Sequence, residues 1–484
     1  MSRARDIADS TKTLDVDGGT IKLDGNYPVG TGNVALGDNA LVDSSLSGGY
    51  NTAIGQEALN SNTSGSVNTA IGNGALYLNT TGASNISVGS NSLADNTTGG
   101  SNVAVGRDAL GNNTTASNNT AVGHQAMTAN TTGTSNNAVG YQALKANTTA
   151  NQNNAFGRGS LGSNTTGADN TGFGQNTLGA NTTASNNTAV GSDSLSSNTT
   201  GASNTALGQS SLAANTTASG NVAIGDNALR AYQTGGDNVV IGRNAGYTLN
   251  GNGNCTFLGR GSGFDTTGGN NTFVGYGSGS GVTSGAKNTI VGLFNGNQGG
   301  LDIRTSSNNI VLSDGDGNPR MVFDSSGGYF VGKVNESATT AGWQFKPTGE
   351  AIVGRAANDT IFIFQNSSSG GTVGSISITG SSTAYNTSSD HRLKENVDYT
   401  WDATTRLKQL KPARFNFIVD ADTTVDGFLA HEVATVVPEA INGAKDAVDA
   451  DGNPEYQGID QSKLVPLLVK TIQELEARIT ALEA

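Results

Sequence analysis

A phrase of five residues recurs through most of this chain and restricts what it can fold into. It reads Asn-Thr-Ala-Val-Gly at 119–123, Asn-Asn-Ala-Val-Gly at 136–140 and Asn-Thr-Ala-Leu-Gly at 204–208. Its glycine falls at Gly37 and Gly55, then every 17 residues to Gly259, and finally at Gly275 and Gly292. Self-similarity at a short fixed period marks a stacked, quasi-one-dimensional architecture. A 17-residue unit is too short for a pair of helices, which needs ~33 residues or more. It suits one coil of a narrow β-solenoid.

Each unit holds two apolar pairs. One precedes the glycine, as in Ala121-Val122; the other follows it, as in Ala109-Leu110, Ala143-Leu144 and Ala228-Leu229. Asn-Thr-Thr-Gly or Asn-Thr-Thr-Ala, which is turn chemistry, separates the copies. The expectation is a thin continuous core made of both pairs, with Thr and Asn in register along the outside. The glycine serves a positive φ or a close approach of the next coil. One coil cannot bury its apolar side alone, so stacking is required. Because the core is thin, the preferred fold is a homotrimeric parallel β-solenoid shaft, with a single-chain solenoid as the alternative. The passage resembles the head repeats of trimeric adhesins and the shafts of phage tail fibres.

Composition adds limits. Of 484 residues 69 are glycine, 13% are charged, and the net charge is −13. That balance lacks the basic stripe of a nucleic-acid binder. Low complexity alone would suggest disorder, but the strict period argues for order. One cysteine, Cys255, excludes an internal disulfide framework. Met1 to Ser10 has no apolar run, and neither a signal peptide nor a membrane-spanning stretch is read from the sequence. The expected divisions are a docking or capping segment at 1–32, the shaft at 33–298, a β-rich neck at 299–388 and a distinct domain at 389–484.

The shaft offers little catalytic chemistry. Between 37 and 292 there are 17 charged residues and no proline. A spike that cleaves glycan needs a close pair of carboxylates; here Asp38, Glu57, Asp95, Asp169 and Asp193 are sparse and drift in position. No aromatic cluster or charge pocket names a receptor. In the neck, residues 308–323 read as a β-hairpin around Asp-Gly-Asp-Gly-Asn. The glutamate of a helix-loop-helix calcium loop is missing, so no metal is assigned there. Further short strands are expected at Trp343–Phe345, Ala351–Val353, Ile361–Phe364 and Ser375–Ile378. No cofactor is expected anywhere.

The last 96 residues are different, with 27 charged residues and four of the seven prolines. They open on Ser389-Asp390-His391-Arg392-Leu393-Lys394-Glu395-Asn396. Leu407 to Phe417 and Gly427-Phe428-Leu429-Ala430-His431-Glu432-Val433 follow at intervals. These spaced motifs resemble the intramolecular chaperone auto-processing domain that ends phage tailspikes and tail fibres. The resemblance implies a small α+β domain that trimerises, templates fibre folding and is removed by a Ser-Lys dyad. Carried onto this sequence, Ser389 is the nucleophile and Lys394 the base, and the cut falls among Ser388, Ser389 and Asp390. His391, Arg392, Asn396 and His431 are supporting candidates.

The resemblance further implies a virion tail fibre made in the host cytoplasm. Its partners would be two further copies, a tail or baseplate protein at the N-terminus and a host-surface receptor, with no nucleic acid and no membrane insertion. The alternative is a tailspike that degrades host glycan and carries the same chaperone end. A serine hydroxyl needs a base, and lysine serves as one where burial or a nearby cation favours the neutral amine; Arg392 is such a cation. Attack of Ser389 on the carbonyl of Ser388 forms a five-membered ring, whereas attack on its own carbonyl is strained within one chain.

The chain ends at 465–484 in a short coiled-coil seam. Val465, Leu468, Ile472, Leu475, Ile479 and Leu482 recur in steps of three and four. Ile and Leu in this pattern favour two strands in isolated peptides, so a trimer has to be imposed by the domain before it.

Overall fold

A computed structural model describes residues 31–484, except 44, 251, 333–341, 347–350, 355–358, 366–371, 380–381, 388 and 451. The expected docking segment therefore lies almost entirely outside the described residues, as does Ser388. The fold is mainly β. Sixteen three-residue strands run from β1 (Val34–Leu36) to β16 (Thr289–Val291), each paired in parallel with the next. Thr52 faces Thr69, and Thr69 faces Ile86, so equivalent residues stack coil upon coil. All of these pairings lie within one chain. The 17-residue step thus fixes the register of the stack through the covalent length of its coils.

The strand glycine is required twice over. At Gly123 φ is +134, and a Cβ there would lie 2.4 Å from the carbonyl oxygen of Gly140 in the next coil. The same contact recurs from Gly37 to Gly275, so a side chain at any of these rungs would force the coils apart. Both sequence-based reasons for the glycine hold.

Two expectations about the coil section are corrected. Only the first member of the first apolar pair, an alanine in most coils, enters the core. Ala70 and Ala121 are fully buried, but Ile71 is 38% exposed and Phe173 58% exposed. A three-residue strand alternates its side chains, so the central Ala points inward and its neighbours outward. The core is instead built from that Ala and the second pair, such as Ala109 and Leu110.

Asparagine, expected outside, is inside. Asn68, Asn85 and Asn102 form one buried ladder, and Asn79, Asn96 and Asn113 a second. In the first, the Asn68 backbone N–H donates to Asn51 Oδ1 (2.9 Å) and its side-chain amide to the Gly82 carbonyl (2.9 Å). In the second, Asn96 Nδ2 donates to Asn79 Oδ1 (2.8 Å) and to the Gly99 carbonyl (3.0 Å). Each amide satisfies its neighbour above and below, which is what permits polar groups in so thin a core. Threonine does keep to the outer turns, where Thr97 Oγ1 donates to the Thr114 carbonyl (3.0 Å).

The stack outlasts the periodic phrase. After a short hairpin of β17 (Asn297–Gln298) and β18 (Leu301–Asp302), β19 (Ile310–Ser313) pairs in parallel with β16, and Asn309 joins the first ladder through its N–H on Asn288 Oδ1 (2.9 Å). The chain then reverses. β20 (Pro319–Phe323), β21 (Tyr329–Val331), β22 (Gly342–Phe345) and β23 (Ala351–Gly354) continue the same sheet as an antiparallel meander. The acidic run at the β19–β20 turn is a turn. Asp314 accepts the N–H groups of Asp316 and Asn318 and pairs with Arg320, and these backbone bonds hold its carboxyl at about 2. β24 (Asp359–Gln365), β25 (Thr372–Thr379) and β26 (Ser382–Thr387) form a separate three-stranded sheet.

The chain divides into two compact units, 1–361 with 377–383, and 362–376 with 384–484. The second has its own core of Ala403, Val433, Val436, Val437, Ala440, Leu464 and Leu467, with Trp401 and Phe428 against it. No helix among the described residues is long and apolar enough to cross a membrane.

Candidate functional site: a serine–lysine pair at the door of the C-terminal unit

The pair is assembled by a short turn. Asp390 caps a 3₁₀ turn, His391–Leu393, by accepting the Arg392 N–H (2.8 Å). Arg392 closes the same carboxylate from the side with Nε (3.0 Å) and Nη2 (2.7 Å). Those bonds hold the Asp390 carboxyl below the ordinary carboxylate range and raise the guanidinium. The Lys394 N–H donates to the His391 carbonyl and ends the turn. This reversal brings Lys394 Nζ to 2.7 Å from Ser389 Oγ.

The other sequence candidates sit as follows. Arg392 is engaged with Asp390 and bonds to neither Ser389 nor Lys394. His391 projects into solvent, with Nδ1 3.5 Å from Asp390. Asn396 follows at φ +54, the left-handed conformation asparagine tolerates. His431 lines a different hollow, with Ala434, Pro438, Ile441, Lys445 and Gln457.

Ser389 and Lys394 open onto a hollow of about 490 Å³, which Trp401, Arg406, Glu439 and Lys463 also line. None of these four residues stands in the motifs at 389–396, 407–417 or 427–433. Arg406 is anchored by Nε on the Val436 carbonyl (2.8 Å) and by Nη2 on Glu439 (2.9 Å). The sequence signal was weak, because none of them stands near Ser389 in the chain. Arg406 comes from the helix Ala403–Leu407, Glu439 from the turn Pro438–Ala440 and Lys463 from the turn Gln461–Leu464. Both Ser389 and Lys394 are exposed in the single chain.

Two other features of this unit are unpartnered in one chain. The helix Val465–Glu483 buries Leu467 and Thr471. On the same side, Glu474 accepts the N–H groups of Ala403 (3.0 Å) and Thr404 (2.8 Å). The seam expected at 465–482 lies on the other faces and stays in water; Ile472 is 62% exposed. The hairpin of β27 (Ala413–Phe417) and β28 (Asp420–Gly427) carries Ile418 and Val419 fully exposed at its tip.

Residues 389–442 match the family model of peptidase S74, described as chaperone of endosialidase. No curated protein and no solved structure matches the chain. The matched segment holds all three spaced motifs noted in the sequence. A chaperone unit of this kind behind a solenoid of 17-residue coils fits a phage tail fibre with a C-terminal chaperone.

Proposed function

We propose that this protein is the shaft of a phage tail fibre for host-surface attachment. Its C-terminal unit gathers three chains, aligns their shafts and is then released by a single cleavage beside Ser389. The observation that carries the processing step is the 2.7 Å contact between Lys394 Nζ and Ser389 Oγ. The neutral amine takes the hydroxyl proton, and Oγ attacks the carbonyl of Ser388 through a five-membered ring. The Ser388–Ser389 C–N bond breaks as its nitrogen accepts a proton. Water then hydrolyses the resulting ester and restores the hydroxyl. In the alternative, Oγ of one chain attacks the Ser389 carbonyl of a neighbour and frees the nitrogen of Asp390.

The exposure of the pair gives assembly a role. An amine and a hydroxyl in open water gain little from each other, whereas packing of further chains over the hollow would exclude water from both. The exposed seam and the bare tip at Ile418-Val419 are the surfaces that support three-chain packing here. The alignment problem is between chains. Each shaft fixes its own register, but identical coils let two shafts slide past each other by whole steps of the repeat.

The test is the intact mass of the expressed full-length protein. The proposal expects a shaft product ending at 388 or 389 and a separate C-terminal fragment, and an uncut chain for Ser389→Ala. A wild-type chain that stays whole in its assembled state, or a Ser389→Ala chain that is cut, overturns it.

A further inference from the structure

The coils of the shaft are alike at most positions that hold the stack together, and they vary freely at the two positions that follow the strand glycine. The first of these runs through Gln56, Ser90, Arg107, Tyr141, Arg158 and Asp226, five kinds of side chain on one column. Position-specific variety on a uniform scaffold is how repeat proteins build recognition surfaces.

The second column contains a gap. Gln142 Nε2 donates to Gln125 Oε1 (2.9 Å), and Asn176 Nδ2 donates to Asp193 Oδ1 (2.9 Å). Between these two bonded pairs stands Gly159, and a Cβ built there would meet nothing within 4 Å. The missing side chain opens a hollow of about 270 Å³ lined by Tyr141, Gln142, Arg158, Gln175, Asn176 and Asp193. Rungs are ~4.8 Å apart, so the notch between Gln142 and Asn176 is about two rungs tall, the height of a sugar ring seated edge to edge.

Its walls are pre-set. His124 stacks on Tyr141 at 5.5 Å and 13°, fixing the ring from one side. Tyr141 remains 46% exposed. The amides of Gln142 and Asn176 are each pinned by one hydrogen bond and retain further donor and acceptor positions. Asp193 is held by Asn176 and by Ser192 Oγ (3.1 Å). Arg158 makes no ion pair among the described residues, and its fork is shaped for a carboxylate.

We infer that this notch binds a carboxylate-bearing pyranose. The apolar face of the sugar lies on Tyr141, its hydroxyls bond to Gln142, Asn176 and Asp193, and its carboxylate pairs with Arg158. An aromatic platform with fixed polar groups around it is the usual construction of a small-ligand site, and the lone guanidinium selects the acid. The inference rests on the attachment reading and gives it a place on the shaft and a ligand class.

The test uses the full chain and its Gly159→Gln and Arg158→Ala variants. Gly159 has φ +64, while Gln125 and Gln142 occupy the same column at φ 56 and 55. The glutamine therefore fits the backbone and fills the gap. Titration with sodium galacturonate and sodium glucuronate, followed by saturation-transfer NMR, is compared with galactose and glucose. We expect the hexuronates to bind at least tenfold more tightly than the neutral sugars. Arg158→Ala should erase that preference, and Gly159→Gln should abolish binding with an unchanged melting temperature. Equal binding of neutral sugars, no hexuronate binding by the wild type, or undiminished binding by Gly159→Gln overturns the inference. Adsorption of labelled protein to bacterial cells separates it from its premise. Equal adsorption of wild type and Gly159→Gln rejects the notch and leaves attachment standing. Hexuronate binding without adsorption supports the notch and rejects attachment.

Discussion

Lys394 lies five residues after Ser389 yet donates to its hydroxyl at 2.7 Å, because Asp390 caps the turn between them. The capping carboxylate is thus a positioning residue. Asp390→Ala removes the acceptor for the Arg392 N–H and for its guanidinium, and the turn that returns Lys394 is loosened. We predict that Lys394→Met leaves the chain uncut on a denaturing gel, whereas Asp390→Ala slows cleavage about tenfold or more without stopping it. Since the Asp390 carboxyl is held low by Arg392, its contribution is present above the ordinary carboxylate range and is lost as pH falls through the depressed value. Wild-type processing near pH 5 should therefore still depend on Asp390.

The buried ladders make a second prediction. Asn113 Nδ2 donates to Asn96 Oδ1 (2.8 Å) and to the Ala116 carbonyl (3.0 Å), and its own Oδ1 accepts from Asn130 (3.0 Å). Asn113→Ala strands polar groups above and below it. Each unsatisfied buried group costs roughly 1–3 kcal/mol, so a loss of about 2–4 kcal/mol is expected in denaturant melts. Thr115→Ala, on the outer turn, should change stability by less than about 0.5 kcal/mol.

A third prediction concerns a size exchange inside the core. In most coils an Ala in the strand faces a Leu six residues later, as with Ala104 and Leu110. Toward the end of the shaft the pair becomes Phe257 and Gly263, and a Cβ on Gly263 would lie 2.6 Å from the Phe257 ring. Leu110 sits at φ 51 and Gly263 at φ 61, so the backbone already suits leucine. Phe257→Ala alone should cost about 3–5 kcal/mol. Gly263→Leu alone overpacks by about 1–3 kcal/mol or more. Combined, they should return to within about 1 kcal/mol of wild type. Losses that simply add would show that the two sites do not share a space.

Tyr232 carries the fourth. It replaces asparagine in the second ladder, and Asn238 Nδ2 donates to its hydroxyl at 2.7 Å. Burial raises its phenol to about 12. A raised folded value means that the stabilisation is complete below the unfolded value of 10.0 and fades as pH rises from there toward 12. Thermal melts of the wild type should fall more steeply over that window than those of Tyr232→Phe.

How much was legible follows from where each signal lives. The period and the double demand on the glycine that ends each strand are local and recur through the whole shaft, so they could be read. The direction of asparagine could not. A single Asn-Thr-Thr reads as a surface turn, and the bonds that bring Asn96 inside exist only once Asn79 and Asn113 are stacked against it. The outward position of Ile71 was missed because a three-residue strand has one inner place, while the sequence shows an adjacent apolar pair. Ser389 and Lys394 stand together in one short motif, but Arg406, Glu439 and Lys463 come beside them only through folding. The notch at Gly159 was invisible for the same reason: Tyr141, Arg158 and Asn176 are distant in the chain and become neighbours through the coil step.

Under the proposed function, the C-terminal unit supplies the alignment that uniform coils cannot choose between chains. Ile472 is exposed on the seam of the helix Val465–Glu483 and away from Leu467 and Thr471, so Ile472→Glu leaves the unit's own core intact. The decisive measurement is the molar mass in solution, by sedimentation equilibrium, of wild type, of Ile472→Glu and of a chain ending at 388. The wild type should give one species of three chains, and the other two monomers or a spread of misaligned assemblies. A uniform three-chain rod from residues 1–388 alone, with the wild-type melting temperature, would contradict it.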